Sequence, residues 1–253
     1  MGELYSADAS LKGKLRRRVV RLQHRRPSPR AAGRPMISFT YDDAPVSAFR
    51  EGARILEAHG ARGTYFVSAG LAGRDVGVGP CGGREDILRV AAAGHEIACH
   101  TFSHLDCGQA DAATVEADIA RNVEALAQWG APSLETFAYP YGDVAAPVKR
   151  VADKRFLLSR ALHHGVLGRG SDLNQAPSVG VEGEEGEALA LAWMERAKAR
   201  AGWLILYTHG VETTPPRFGT SIAVWERLVG KAVADGFEIV TVAQGARRLR
   251  GLT

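Results

Sequence analysis

The chain is poor in cysteine, with only Cys81, Cys99 and Cys107 among 253 residues and no CxxC pair. An odd, scattered set suits a reducing cytosol better than a disulfide framework. Long apolar runs are also missing. None approaches the roughly 20 residues of a membrane span. The N-terminus is positively charged but has no apolar segment behind it, so no secretory signal is read and the expected location is cytoplasmic. Nucleotide fingerprints are absent too, because neither GxGxxG nor GxxxxGK[ST] follows any strand-like run. There is no internal repeat.

What remains is a chain long enough for one sizeable core, 45% hydrophobic and 24% charged. Its net charge of +4 is unevenly spread. Residues 1–33 carry nine Lys/Arg against Glu3 and Asp8, a net of +7, so the rest of the chain sums to −3. The basic character belongs to an N-terminal arm, and no nucleic-acid partner is expected. Within the arm, Leu11, Leu15, Val19 and Leu22 share one face of a basic helix that Pro27 and Pro29 would end. Two readings follow. Either this apolar stripe docks on the body, which is the favoured expectation, or the arm makes peripheral contact with an anionic membrane.

From residue 34 a rhythm sets in. Short β-rich runs, MISFTY (36–41), TYFVS (64–68), EIAC (96–99), ETFAY (135–139), FLLS (156–159), WLILYT (203–208) and EIVTV (238–242), alternate with helical patterns; PSVGV (177–181) is a weaker run. The helical patterns cover about 47–59, 84–93, 112–129, 145–154, 184–201 and 221–235. Strands alternating with helices argue for an α/β fold with a parallel sheet, and this many units in about 220 residues predict a distorted (β/α) barrel in one domain.

The conspicuous polar residues fall just past strand ends, where barrel enzymes assemble their sites. Asp42 and Asp43 follow the first run, His100 follows EIAC with His104 four residues on, Pro140 and Tyr141 follow ETFAY, and His209 follows WLILYT. The spacing of His100 and His104 puts both imidazoles on one face of a helical turn, a geometry that binds one divalent ion. The intervening Thr101-Phe102-Ser103 excludes an HExxH site, so a carboxylate from another strand end is needed as third ligand. Two histidines and one carboxylate leave a coordination position open, which is a catalytic rather than a structural arrangement.

FTYDDAP, GHEIACHTFSH, FAYPYG and LILYTHG, in this order, resemble the polysaccharide deacetylases of carbohydrate esterase family 4, the NodB-homology fold. The resemblance spans about residues 35–245 and implies a distorted (β/α) barrel of about seven strands. It implies Asp42 as catalytic base, Asp43, His100 and His104 as ligands of one divalent metal, and His209 as catalytic acid. Zinc is the first expectation for the ion, with cobalt, nickel and manganese as alternatives. The turn at Tyr141, with Pro140 and Tyr139, is similar to the family's oxyanion-binding loop.

The chain also departs from that pattern. Ala138 stands where the family has an arginine that orients the catalytic aspartate, and Tyr139 where it has a proline. Ala44 replaces a usual glycine, and Gly210 follows His209 in place of an aspartate. No Asp-Trp motif tethers His209; Asp172 is a weak substitute. His163 and His164 are candidate cleft residues, and Cys99, beside His100, reads as a buried inert thiol. Three functions stay open. The first is metal-dependent removal of an acyl group from a carbohydrate, most simply an N-linked acetyl. The second is the same centre acting on a small or lipid-linked amide. The third is a non-catalytic barrel that binds carbohydrate or a polyanion.

Overall fold

Each short β run is followed by a helix or long connection that returns the chain to the same end of the sheet, so neighbouring strands pair in parallel. The computed structural model describes residues 11–252, apart from the side chains of Leu11, Lys12 and Lys14. Its strands are β1 (Met36–Asp42), β2 (Thr64–Val67), β3 (Glu96–Cys99), β4 (Thr136–Ala138), β5 (Leu158–Arg160), β6 (Val179–Gly180) and β7 (Trp203–Thr208). They lie in the order β5-β4-β3-β2-β1-β7-β6, all parallel. Residues 173–178, leading into β6, hydrogen-bond along β5, with Ser159 N donating to Leu173 O and Ser178 N to His163 O. The two ends of the sheet are thereby drawn together into a distorted β/α barrel. EIVTV contributes only Glu238–Ile239, which pairs with the start of β1, because Thr241 is already the N-cap of a helix.

The helices are α1 (Leu11–Val20), α2 (Ala53–Ala58, preceded by a wide turn at Ala48–Gly52), α3 (Arg84–Ala92), α4 (Ala112–Trp129), α5 (Ala146–Arg155), α6 (Gly186–Ala199), α7 (Ile222–Ala234) and α8 (Val242–Arg250). Their ends follow local chemistry. Asp111 caps α4 by accepting from Ala113 N and Thr114 N, and Gly130 at φ 93° ends it. Thr241 and Gln244 form the capping box of α8, the one long helix that the apolar spacing does not reveal.

The pleat sorts β1 into two columns. Ile37, Phe39 and Tyr41 face the helices, where Tyr41 stacks on Tyr65 and accepts a 2.9 Å hydrogen bond from Trp225. Met36, Ser38, Thr40 and Asp42 alternate with them and face the barrel interior, with Phe66, Ala98, Ala138, Leu158 and Ile205. The doublet thus begins at the end of an interior column.

The arm docks, but by another face than the apolar stripe. Leu15 and Leu22 are 62% and 77% exposed, and Val19 is exposed as well; Val20, 4% exposed, is the residue that joins the core. Arg16 donates to Gly108 O and the Asp143 carboxylate. After α1 the chain is stitched on through its backbone: Arg26 N donates to Asp172 Oδ1, Leu173 N to Arg26 O and Ser28 N to Ser171 O. A charged contact with a buried carboxylate and a run of backbone pairs outweigh three leucine-like side chains here. Residues 1–10 of the expected arm lie outside the described residues.

α4 is tied to the strand exits by one buried amide. Asn122 donates to Val67 O (2.8 Å) and accepts from Ala69 N (2.8 Å). Asn122→Ala strands both backbone groups, and the expected loss is about 2–4 kcal/mol of unfolding free energy. Urea denaturation checks it; a loss below about 0.5 kcal/mol would mean that water replaces the amide.

Candidate active site

The exits of β1, β3, β4, β5, β6 and β7 contribute at one end of the barrel. Asp42 is the last residue of β1, and Asp43 follows it with a positive φ of 54°. That combination separates the two carboxylates. The pleat sends Asp42 into the interior, and the left-handed turn aims Asp43 at the histidines that follow β3. Ala44 also has a positive φ, 42°, at the position where the resembled family has glycine.

Asp43 Oδ1 lies 3.9 Å from His100 Nε2 and 3.5 Å from His104 Nε2. It is buried and has no hydrogen-bond partner among the described residues. His100 Nδ1 sits 2.8 Å from Ala138 O, where it must donate, which leaves Nε2 as the bare nitrogen facing Asp43. Burial, then the neighbouring His104, pushes the His100 pKa down to about 4, so the ring is neutral and suited to a cation. Ligand atoms of Asp43, His100 and His104 all fall within 4.8 Å of one another. An orphaned carboxylate oxygen facing two imidazoles is a donor set that fits a divalent metal ion.

The histidines converge through a loop rather than the helical turn that their spacing suggests. Thr101 (φ 60°) and His104 (φ 56°) both take left-handed backbone. The loop is held by Asp118 of α4, which accepts from Phe102 N (2.8 Å), Ser103 N (3.0 Å) and Ser103 Oγ (3.0 Å). Gly70 lets the loop pack close, since a Cβ there would lie 2.6 Å from Phe102 O. Asp43, Ala44, Thr101, His104 and Tyr141 are five of the seven non-glycine residues with positive φ among those described. Strain of this kind, about 1–3 kcal/mol each, collects where side chains must be aimed.

The arginine missing at position 138 is supplied by the neighbouring strand. Ala138 and Arg160 are register partners across β4 and β5, so their side chains share the interior face. Arg160 Nη2 lies 2.6 Å from both carboxylate oxygens of Asp42. Burial alone would raise the Asp42 carboxyl, but Arg160, with His100 and His209, holds it below the usual carboxylate range. The missing tether is filled likewise. His209 Nδ1 lies 2.6 Å from Glu182 Oε1, just beyond β6. Burial opposes a charge on His209, yet the hydrogen bond and charge of Glu182, with Asp43 and Asp42, carry its pKa up to about 9. Its Nε2 lies 3.9 Å from Asp43 Oδ2.

Not every expected residue joins the cluster. Tyr141 does, its ring centroid 4.4 Å from that of His104, in a turn with buried Pro140. Tyr139 instead lies in the core and donates to Asn174 O. Asp172 pairs with the buried Lys149 (2.7 Å) rather than with His209, and it lines a separate groove with His163 and His164. Cys99 is buried and unpaired, with its pKa raised by burial to about 11. Arg160, Glu182 and Asp118 were not singled out by the sequence. The first two obey the strand-exit pattern that marked Asp42 and His209; Asp118, inside a helix, gives no such signal.

Asp118 touches no ligand atom, so its effect must run through the loop. Asp118→Ala is expected to weaken divalent-metal affinity by about 10–100-fold with the fold retained. Competition against a chelator measures this; unchanged affinity would show that the loop holds its shape without the clamp.

No curated protein matches the chain by sequence. The family model described as Polysaccharide deacetylase matches residues 30–155. That stretch includes Asp42, Asp43, His100, His104 and Tyr141 and stops before Arg160, Glu182 and His209. Among solved structures, a protein of Mycobacterium smegmatis assigned as a polysaccharide deacetylase superposes with a TM-score of 0.71 at 21% identity, covering 90% of this chain and 96% of its own. The chitin deacetylase of the fungal pathogen Colletotrichum lindemuthianum gives 0.63 at 18% identity, over 87% and 91%. A mutant carbohydrate esterase family 4 pseudoenzyme with restored enzymatic activity gives 0.56 at 15%, over 85% and 68%. At these identities the likeness to the solved structures is one of fold. The match to the family model makes residues 30–155, just under half of the chain, similar to the polysaccharide deacetylases.

Proposed function

We propose that the protein is a metal-dependent hydrolase that removes an acetyl group from an N-acetylated carbohydrate. The observation that carries this reading is the buried, unpartnered Oδ1 of Asp43 between two imidazole nitrogens, with Asp42 and His209 held beside it in opposite charge states. Asp43, His100 and His104 would hold the ion, zinc first among the metals such a set accepts. A divalent ion there supplies Lewis-acid chemistry, acidifying water and polarising an acyl carbonyl.

The rest is work for the protein's own groups. Asp42, kept ionised by Arg160, accepts a proton from the attacking water. The turn at Pro140 and Tyr141 faces the developing oxyanion. His209, kept protonated by Glu182, donates to the leaving nitrogen as the C–N bond breaks. The products are a free amine and acetate. A non-catalytic barrel has no use for two groups whose charge states are separately enforced, which speaks against that alternative in spite of the pseudoenzyme with this fold.

Acetate release from N-acetylglucosamine oligomers, with metal content measured in parallel, tests the assignment. His100→Ala should lose both metal and activity, whereas Asp42→Asn should keep the metal and lose roughly 10²–10⁴ in turnover. Metal loss in Asp42→Asn comparable to that in Asp43→Asn would show the aspartate roles reversed.

The pH profile gives a separate check. His209 acts only when protonated, so activity is present below its pKa and disappears as pH rises through about 9. Glu182→Gln removes the charge that raises that pKa, and the alkaline limb should move to lower pH. An unmoved limb would assign the acid to another group.

A further inference from the structure

Two adjoining grooves open beside the site, of about 360 Å³ and 300 Å³. They share Arg21, His163 and Gln175, and the second reaches Tyr141, whose ring packs on His104. Their outer wall is the arm: Arg17 and Arg21 line one, Arg21 and Arg25 the other. The arm therefore does more than cover the body: Arg17 of α1, with Arg21 and Arg25 just beyond it, lends guanidinium groups to a channel that reaches Tyr141.

The carboxylates of this channel are already committed. Asp172 accepts from Lys149 Nζ, Arg26 N and Asn174 N. Asp143 is paired with Arg16. Among the described residues, Arg25 donates only to a backbone carbonyl, Gly170 O at 2.9 Å. The Arg21 pKa is lowered by burial and then by the cations Arg18 and Arg17. Like charges crowded along one wall cost free energy that an anion would relieve. Guanidinium forks suit phosphate oxygens, and a phosphate monoester brings close to two negative charges where a carboxylate brings one.

We infer that the channel is a phosphate subsite, and that the substrate of the proposed hydrolase is an acylated sugar bearing a phosphate ester held by Arg21 and Arg25. The inference rests on the hydrolase reading only for what lies at the Tyr141 end. Phosphate recognition itself stands on the arm.

Inorganic pyrophosphate is the binding probe, measured by calorimetry on the full chain. Arg21→Gln/Arg25→Gln is expected to weaken its binding by about tenfold or more, while His104→Ala, which removes a proposed metal ligand, leaves it in place. Unchanged binding in the arginine variant, or binding lost only with His104→Ala, would overturn the subsite. The second measurement compares N-acetylglucosamine 1-phosphate with N-acetylglucosamine. The phosphorylated sugar should be favoured in kcat/KM by about tenfold, through KM, with the preference gone in the arginine variant. The alkyl diester of the same phosphosugar tells a lipid-borne phosphate from a free one, and selectivity over the neutral sugar in either form supports the subsite. Pyrophosphate binding without acetate release from any sugar would remove the hydrolase reading and leave the subsite. Equal cleavage of phosphorylated and neutral sugars would do the reverse.

Discussion

Two neighbouring carboxylates cannot both be buried and charged without separate compensation, and the candidate site is built around that constraint. Asp42 and Asp43 sit where the interior column of β1 runs out. Asp42 is met by a buried guanidinium that touches both of its oxygens. Asp43 is met by imidazole nitrogens of His100 and His104 and keeps one buried oxygen without a donor among the described residues. An isolated charge of that kind costs several kcal/mol unless something pairs with it. A cation between Asp43 and the histidines would resolve the second carboxylate as Arg160 resolves the first. His209, charged through Glu182, adds a second positive group near the pair.

The legible parts of the fold are those governed by period. Short β-rich runs such as MISFTY, EIAC and WLILYT mark the strands because each is buried almost throughout, on both faces, and the helical spacing between them follows from the sheet they cover. The strand-exit pattern then located five polar residues, which the structure brings together. The same pattern missed Arg160 and Glu182 for a plain reason. FLLS was read as ending one residue before Arg160, and PSVGV is too short and glycine-bearing to stand out. Register is the missing information: Ala138 and Arg160 are 22 positions apart in sequence yet adjacent across two strands. The HxxxH spacing suggested two histidines that do come together, but on a loop rather than a helical turn, since a β-branched threonine gives no sequence signal for positive φ.

The arm shows a different limit. Apolar periodicity identifies a face but not what that face meets. Arg16, lying off the stripe, finds a buried carboxylate and a carbonyl, and the helix and the turn after it leave Leu15, Val19 and Leu22 facing outward. That orientation brings Arg17 and Arg21 to the channel wall, so the basic character of residues 1–33 is tied to the site's surroundings rather than spread over a remote surface.

The account turns on whether Arg160 does for Asp42 what an arginine at position 138 does in the resembled family. The direct measurement is the pH dependence of turnover in Arg160→Ala and in the Arg160→Ala/Ala138→Arg double variant, with metal content and folding checked for both. Loss of the guanidinium should cut turnover by about 10²-fold or more and move the acid limb to higher pH, because the Asp42 carboxyl rises when its cation is gone. Returning an arginine from β4 should recover part of the rate and bring the limb back down. A single variant with normal turnover and an unshifted acid limb would contradict the account, because Asp42 would then owe neither its charge nor its place to Arg160.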